Sequence, residues 1–319
     1  MISTTLRMGT RGSLLARAQS ETIAKTIEAA HPGLVVARCV YKTMGDKILD
    51  RPLHEFGGKG LFTKEIEEDL IARKIDFIVH SCKDVPVTMP LVDQDELTIG
   101  AIPKREDPRD ALVCLTANAL SDLPRGARVG TGSLRRRCQL LAHRPDLQID
   151  LLRGNVDTRV GKCRNGQYAA VLLAMAGLRR SGLFEEAWMT PIPEQDMLPA
   201  AGQGALLIQC RRDDPTAKEL LMGLNDPDTA TAVDLERRLV AALNGDCHSP
   251  IAALATVRGE EILMHAVVGT RGGNTPVIRA SAAGGNAERV LNEVLKSLLD
   301  QHALELLETG TSESLCKQH

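Results

Sequence analysis

Apolar and polar positions along the first hundred residues predict strands and helices in turn. Residues 5–8, 34–41 and 75–80 have the apolar character of strands. A helical pattern covers 14–30 and ends at a His-Pro-Gly turn, and a second helix is predicted around Ile66. Because strand and helix follow each other, the pattern predicts an α/β fold with a parallel sheet.

The same order of elements recurs after 103–108, a polar segment bracketed by prolines that is typical of a domain linker. A strand is predicted over 128–131, and a helix opens at Gly132-Ser133-Leu134 and ends at His143-Arg144-Pro145. Another strand is predicted over 148–152. The first half has a similar Gly-Ser-Leu segment between strand and helix, so we expect two domains of like topology.

Later segments predict how the chain connects these domains. Prolines mark a second crossing at 191–199, and the strand at 205–210 could return to the first domain, which would make a double crossover and a hinged cleft. From about residue 226, a charged helix, three strand candidates and a helix near 290–299 predict a small α+β domain. We expect domain 1 to cover 1–102 and 203–220, domain 2 to cover 107–198, and domain 3 to cover 223–319.

Composition narrows the function classes. Of 319 residues, 43% are hydrophobic and 25% charged, which is ordinary for a globular protein. Aromatic residues make up only 2%, so few rings can stack on bases and a nucleic-acid partner is not expected. The formal net charge of −2 attracts no polyanion by itself. Any recognition of anions must therefore come from local clusters of Arg and Lys.

The cysteines and the hydropathy pattern bear on the cellular compartment. None of the 8 cysteines forms a C-x-x-C pair, so we expect reduced thiols and no metal. The first residues lack the apolar core of a signal peptide, and no segment is apolar for long enough to cross a bilayer. The expected location is the cytoplasm, without a membrane partner.

Two serines mark possible anion sites. Ser13 and Ser133 each stand where a strand hands over to a helix, whose N-terminus favours negative charge. Each serine can equally be a plain helix cap. Arg11 precedes the first, and Arg135, Arg136 and Arg137 occupy the first turn after the second. Because cations oppose the helix dipole there, we expect an anionic ligand to compensate them.

Further cationic residues follow the next predicted strands. Arg153, Arg159 and Arg180 come after strands of the second domain, at one edge of its sheet. Singly, each could be a surface ion pair. Together, they suit bidentate binding of carboxylates or phosphates, and the predicted ligand is a small polyanion.

Three other residues could carry chemistry. Asp84 follows a buried strand and could be a general acid or base, or could cap a helix. Lys83 could contact an anion, lower the pKa of that acid, form a Schiff base or be solvated. Cys247, in a polar loop beside His248, could be a nucleophile, although a Cys-His dipeptide is weak support.

Residues 43–60, with several glycines and charges, predict a lid or binding loop.

These segments together resemble the porphobilinogen deaminase family, also called hydroxymethylbilane synthases. The resemblance spans nearly the whole chain and is carried by motifs in the same order and spacing. They are Gly9 to Ala16, Gly57 to Phe62, His80 to Pro86, Lys104 to Asp110, Gly130 to Arg136, Arg153 to Val156, Ala176 to Leu178, Gly202 to Ala205 and Gly245 to Ile251.

The resemblance implies a fold and an activity. The fold would be two bilobal, periplasmic-binding-protein-like domains with parallel or mixed sheets, plus the small α+β domain. The enzyme would be a transferase of haem biosynthesis that joins four porphobilinogen molecules head to tail into hydroxymethylbilane and releases ammonia at each step. It would build on a covalent dipyrromethane primer. The resemblance favours a monomer.

The resemblance also implies residue roles. Cys247 would hold the primer through a thioether. Asp84 would bind pyrrole N–H groups, assist proton transfer and stabilise the azafulvene cation formed when ammonia leaves, in accord with electrostatic catalysis by a fixed carboxylate. Lys59 and Phe62 would belong to or adjoin the lid. The side-chain carboxylates of primer and substrate would be bound by Arg11, Ser13, Lys83, Ser133, Arg135, Arg136, Arg153, Arg159 and Arg180.

The sequence departs from the family pattern at two positions. Cys82 stands where the family usually has Met, which puts a thiol near the catalytic acid and could add sensitivity to oxidation. Gly132 stands where it usually has Ser, which removes one hydroxyl donor. The competing hypothesis is a hinged anion-binding or sensor protein, which would use the same cleft without chemistry. Such a protein has no need of both Asp84 and a loop thiol at Cys247.

Overall fold

The computed structural model describes residues 5–42, 63–87, 96–246 and 248–308. The chain divides into two compact units, Met1–Glu106 with Gly204–Ala230, and Asp107–Gln203 with Thr231–His319. It therefore passes between the units three times. The predicted division into three domains stays a prediction.

The first unit is built on a five-stranded sheet of order β2-β1-β3-β10-β4. Strand β1 is parallel to β2 and β3, whereas β10 is antiparallel to β3 and β4. The return of the chain at 205–210 is confirmed, and the sheet is mixed. The elements are β1 (Thr5–Arg11), α1 (Leu14–Ala30), β2 (Val35–Tyr41), α2 (Lys64–Ile71), β3 (Phe77–Ser81), β4 (Leu97–Ala101), β10 (Leu206–Arg211) and α6 (Pro215–Met222).

The second unit contains a sheet of the same pattern, with order β7-β6-β8-β5-β9. Strand β6 is parallel to β7 and β8, and β5 is antiparallel to β8 and β9. The expectation of two like topologies is confirmed. The elements are β5 (Asp110–Val113), β6 (Arg128–Gly130), α3 (Leu134–His143), β7 (Gln148–Asp150), α4 (Val156–Arg164), β8 (Ala170–Ala174), α5 (Met175–Arg180) and β9 (Met189–Pro191).

The sequence pattern predicted a parallel sheet, and the resemblance implied parallel or mixed sheets. Both five-stranded sheets are mixed, because one strand of each runs against the others. A run of apolar residues shows that a strand is buried but not which way it runs, so hydrophobicity could not reveal this.

The C-terminal part of the second unit is the predicted α+β structure. Its antiparallel sheet has the order β11-β12-β13 and is covered by a helix. The chain enters it through α7 (Pro227–Ala242) and continues with β11 (Ile251–Arg258), β12 (Glu261–Gly269), β13 (Val277–Gly284), α8 (Ala287–Asp300) and α9 (Ala303–Glu308).

Buried apolar residues explain why these elements pack. In the first unit, Met8 of β1, Phe77 of β3 and Ile27 of α1 belong to one buried cluster. In the second, Leu112 and Leu172 face one cluster and Val113 faces another, so the central strands are covered on both sides. Burial of each such side chain contributes about 1.5–3 kcal/mol.

Within the described ranges, no helix has both the length and the apolar character that a bilayer crossing requires.

Candidate active site

The carboxyl end of the first sheet brings together four of the predicted site residues. Because β1 pairs in parallel with β3, with Gly9 opposite Ile78, the two strands end at the same edge. Arg11 ends β1, and Ser13 caps α1 by accepting a hydrogen bond from Ala16 N at 3.3 Å. Lys83 and Asp84 follow β3 in a short 3-10 turn.

The turn that carries Asp84 is fixed by a buried side chain and by backbone hydrogen bonds. The thiol side chain of Cys82 is fully buried, and its backbone N–H donates to Ala205 O at 3.1 Å. Val85 N donates back to Cys82 O at 3.1 Å, and the chain then continues in an extended conformation. Asp84 is exposed at the end of this turn. The described residues therefore show a carboxylate on a fixed turn and no helix that it caps.

A buried polar chain lies beneath this edge. His80 Nε2 is 3.1 Å from Gln209 Oε1, and Gln209 Nε2 donates to Glu67 Oε1 at 2.9 Å. All three side chains are buried. Because the amide nitrogen donates to the carboxylate, the amide oxygen accepts from His80, which fixes the proton on Nε2. Burial, together with the positive charge of Arg11, outweighs the opposing effects of Gln209 and Asp84 and lowers the pKa of His80 to about 4, so this imidazole is neutral at pH 7.

The neutral His80 predicts a pH dependence of stability. Its pKa falls from 6.5 in the unfolded chain to about 4 in the folded protein. The unfolded state therefore takes up the proton first, and stability decreases as the pH falls from about 6.5 towards 4. The decrease due to this residue should be roughly 3 kcal/mol.

Urea unfolding of wild type and His80→Gln over this pH range measures the effect. Glutamine does not titrate, so the two stability curves should converge as the pH falls. Parallel curves would show that His80 does not contribute.

At the second sheet, Asp110 compensates two of the predicted anion-binding arginines. Arg135 and Arg136 are only 3% and 6% exposed, and Asp110 is fully buried. Arg135 Nη1 donates to Asp110 Oδ2 at 2.8 Å, and Arg136 donates through Nε and Nη2 to Oδ1 at 3.1 and 2.7 Å. Gln203 Nε2 also donates to Oδ1, at 2.8 Å.

The ion pairs of Asp110 with Arg135 and Arg136 change the interpretation of the cations at the start of α3. We expected an external anion to explain the cations in the first turn of α3, but Asp110 is an anion of the chain itself. Burial alone would raise the pKa of Asp110, yet the charges and hydrogen bonds of Arg135 and Arg136 hold it well below its usual range. The carboxylate is therefore ionised. Ligand binding by the two arginines stays a prediction.

Ser133 has the position predicted for it. It caps α3, and its hydroxyl accepts from Arg136 N at 3.4 Å. The plain cap is thus present, although a hydroxyl that accepts can still donate its own hydrogen. At Gly132 an added Cβ would lie 3.0 Å from Leu152 O, so the absence of a side chain there relieves a close approach.

The remaining predicted arginines follow strands β7 and β8. Arg153 is half-buried, and its Nε has no hydrogen-bond partner among the described residues. Gly154 has φ +113°, and its carbonyl accepts from Arg159 Nε at 2.7 Å. Arg180 is the last residue of α5, which follows β8. Because β6, β7 and β8 are parallel, the segments that carry Ser133, Arg153 and Arg159 follow the same edge of the second sheet, whereas Arg180 lies at the C-terminal end of α5.

Some predicted residues lie outside the described part of the chain. They are Cys247, Lys59, Phe62 and the expected lid at 43–60. The neighbours of position 247 form a tight turn, in which His248 N and Ser249 Oγ donate to Asp246 Oδ1 at 2.8 and 2.9 Å. Within the ranges that are described, no group of three or more metal-binding side chains occurs.

Two buried polar features were not predicted from the sequence: the ion pairs of Asp110 with Arg135 and Arg136, and the hydrogen-bonded chain from His80 to Glu67. A signal for the first was present, because Asp110 opens an otherwise apolar strand, DALV. The second joins His80 to Gln209, which lie 129 positions apart, and a local sequence pattern cannot indicate such a pair.

Comparison with known proteins identifies the family. The family model described as "Porphobilinogen deaminase, dipyromethane cofactor binding domain" matches residues 6–219. A second model, "Porphobilinogen deaminase, C-terminal domain", matches residues 230–300. The chain belongs to the porphobilinogen deaminase family. The resemblance drawn from the motifs is therefore confirmed.

Relatives in the porphobilinogen deaminase family match over nearly their full length. The porphobilinogen deaminase of Syntrophobacter fumaroxidans is 46% identical over 310 residues, 97% of this chain and 98% of the relative. That of Roseiflexus castenholzii is 45% identical over 303 residues, 95% and 98% of the two chains. Among solved structures, the BenM effector-binding domain with benzoate has a TM-score of 0.42 and 14% identity, and covers 71% of this chain and 97% of that one.

The second-sheet residues fit the dipyrromethane cofactor of the porphobilinogen deaminase family. A dipyrromethane built from two porphobilinogen units carries the acetate and propionate carboxylates of both. Within the part of the chain that the structure describes, Arg135 Nε and Arg153 Nε are buried without a hydrogen-bond partner, so each is a charged N–H donor that an added acceptor would satisfy.

Proposed function

We propose that this chain is a hydroxymethylbilane synthase, which joins four porphobilinogen molecules head to tail with release of ammonia. The observation that carries the proposal is its near full-length kinship with porphobilinogen deaminases. The dipyrromethane, when bound, supplies the pyrrole carbon to which the first substrate molecule is joined. The chain's own residues must bind, orient and stabilise what reacts there.

Asp84 is the catalytic residue of this proposal. Its carboxylate is exposed on an anchored turn, with Arg11 and Lys83 at the same sheet edge. A fixed carboxylate can accept hydrogen bonds from pyrrole N–H groups and stabilise the positive charge that develops on a substrate ring as ammonia leaves. It can also hold a proton that is in transit. The fixed turn supports this role, because the charge is in place before the reaction.

Cationic and hydroxyl side chains bind the carboxylates in this proposal. Arginine suits this task because its planar group donates two parallel hydrogen bonds to one carboxylate. Arg135 contributes through its unpartnered Nε, since its Nη1 is committed to Asp110. The full set is Arg11, Ser13, Lys83, Ser133, Arg135, Arg136, Arg153, Arg159 and Arg180.

The attachment residue and the lid complete the proposal. Cys247 holds the dipyrromethane through a thioether, and its neighbours Asp246, His248 and Ser249 supply the tight turn around it. Lys59 and Phe62 belong to or adjoin a lid at 43–60 that excludes water from the reacting groups.

We further propose that the chain works as a monomer in the cytoplasm, without nucleic-acid or membrane partners. The low aromatic content and the net charge of −2 support the absence of a nucleic-acid partner.

Incubation with porphobilinogen tests the activity. Ammonia and hydroxymethylbilane should appear together, in a ratio of four to one. A binding or sensor protein would retain porphobilinogen but release no ammonia, and this outcome would refute the proposal.

A further inference from the structure

The end of β12 touches the helix that carries the arginines. Gly269, the last residue of β12, lies against Cys138 of α3. An added Cβ on Gly269 would be 2.5 Å from Cys138 Sγ and 2.7 Å from Cys138 Cβ. No side chain larger than hydrogen fits there without displacing one of the two elements. Cys138 is fully buried, so it has no space to yield.

The loop that follows β12 is seated on the first turn of the same helix. At Gly273, where φ is +69°, an added Cβ would lie 2.9 Å from Leu134 Cδ2 and 3.1 Å from Leu134 Cα. Arg137 Nη2 donates to Asn274 Oδ1 at 3.2 Å. Two close approaches and a hydrogen bond thus fix the β12 end to α3.

The same end of β12 also holds the segment around position 247. Gly269 N donates to Pro250 O at 2.9 Å, three residues after Cys247. On the other side, Gly245 N donates to Val240 O at 2.9 Å, and an added Cβ on Gly245 would be 2.5 Å from Ile251 Cδ1. Both ends of the segment are therefore fixed, one of them through Gly269.

We infer that Gly269 is a positioning residue for attachment of the dipyrromethane. Through its contact with Cys138 it sets the distance between Pro250, which follows Cys247 by three positions, and the arginines of α3. The inference rests on the proposed function, because it takes Cys247 as the anchor and Arg135 and Arg136 as carboxylate ligands. A methyl group at Gly269 would push Pro250, three positions after Cys247 in the sequence, away from α3, so fewer chains would acquire the cofactor.

Intact-protein mass spectrometry of folded, purified protein measures the fraction of chains that carry the cofactor. We expect Gly269→Ala to lower this fraction at least fivefold. Cys138→Gly, which leaves a gap at the contact, should lower it less. The double variant should approach wild type, because the new methyl group occupies the space that Sγ vacated.

A matched control separates positioning from loss of stability. Gly100→Ala places a methyl carbon 2.9 Å from Cys210 Sγ in the first unit, a similar clash of a strand glycine with a cysteine. It should lower the unfolding temperature but leave loading per folded chain unchanged. If Gly269→Ala does not fold, the double variant is compared with Cys138→Gly alone, and it should load better.

Three results would overturn the inference: full loading of Gly269→Ala, a loss of loading in Gly100→Ala as large as in Gly269→Ala, or a double variant that loads no better than Cys138→Gly. Wild-type protein without any covalent increment would instead refute the proposed function.

Discussion

Asp84→Asn should lower turnover of porphobilinogen roughly 10²–10⁴-fold, the range expected when a charged group that stabilises a transition state or transfers a proton is removed. Asparagine has almost the same shape but carries no charge. Because Asp84 is exposed and ends a turn that Cys82 anchors, the fold should not change. The KM should change less than kcat if the carboxylate acts mainly on the developing cation.

Steady-state ammonia release and the urea midpoint of the same preparations test this expectation. Glu219→Gln, which neutralises an exposed carboxylate on α6 of the same unit, is the matched control and should keep full turnover. Wild-type turnover in Asp84→Asn would remove Asp84 from the mechanism.

Asp110→Asn should lower the free energy of unfolding by roughly 3–5 kcal/mol, more than Asp84→Asn or Asp150→Asn. The change leaves Arg135 and Arg136 buried without a countercharge. Asp150→Asn is the control, since Asp150 pairs with Arg128 at the exposed surface of the same unit, where an ion pair contributes about 1 kcal/mol or less.

The depressed pKa of Asp110 sets the direction of its pH effect. Because the folded pKa lies below the unfolded one, this carboxylate stabilises the protein above a pH of about 4, and the contribution is lost as the pH falls further.

A third variant separates the structural role of the cluster from its role in binding. Replacement of Asp110, Arg135 and Arg136 together by apolar residues of similar size should recover much of the stability, because no buried charge remains. It should still fail to bind the dipyrromethane.

If Asp110→Asn lowers the free energy of unfolding no more than Asp150→Asn does, the buried ion pairs do not stabilise the fold as described.

Local elements were predictable from the sequence because their signals are local. Helix α1 has the predicted bounds, since Ser13 caps its start and His31-Pro32-Gly33 ends it. The strand predicted over 205–210 likewise lies within one residue of β10 at each end. Strand direction was not predictable, because β5 and β10 are as apolar as the parallel strands beside them.

The residues of the candidate site also differ in whether the sequence could indicate them. Motifs at the ends of strands indicated Arg11, Ser13 and Asp84, because the chain order of an α/β unit places them at one edge. The partner of Arg135 and Arg136 could not be predicted, since Asp110 lies 25 and 26 positions away and only the folded sheet brings it to α3. The composition of the helix alone therefore pointed to an external anion.

We expect porphobilinogen units to be joined to a primer held by Cys247. The most direct test of this expectation is intact-protein mass spectrometry of the enzyme during turnover, with Cys247→Ser and, as a control, Cys39→Ser. Wild type and Cys39→Ser should show a series of covalent masses that differ by one pyrrole unit, and Cys247→Ser should show none. Active wild-type protein with only the mass of its bare chain would contradict the account.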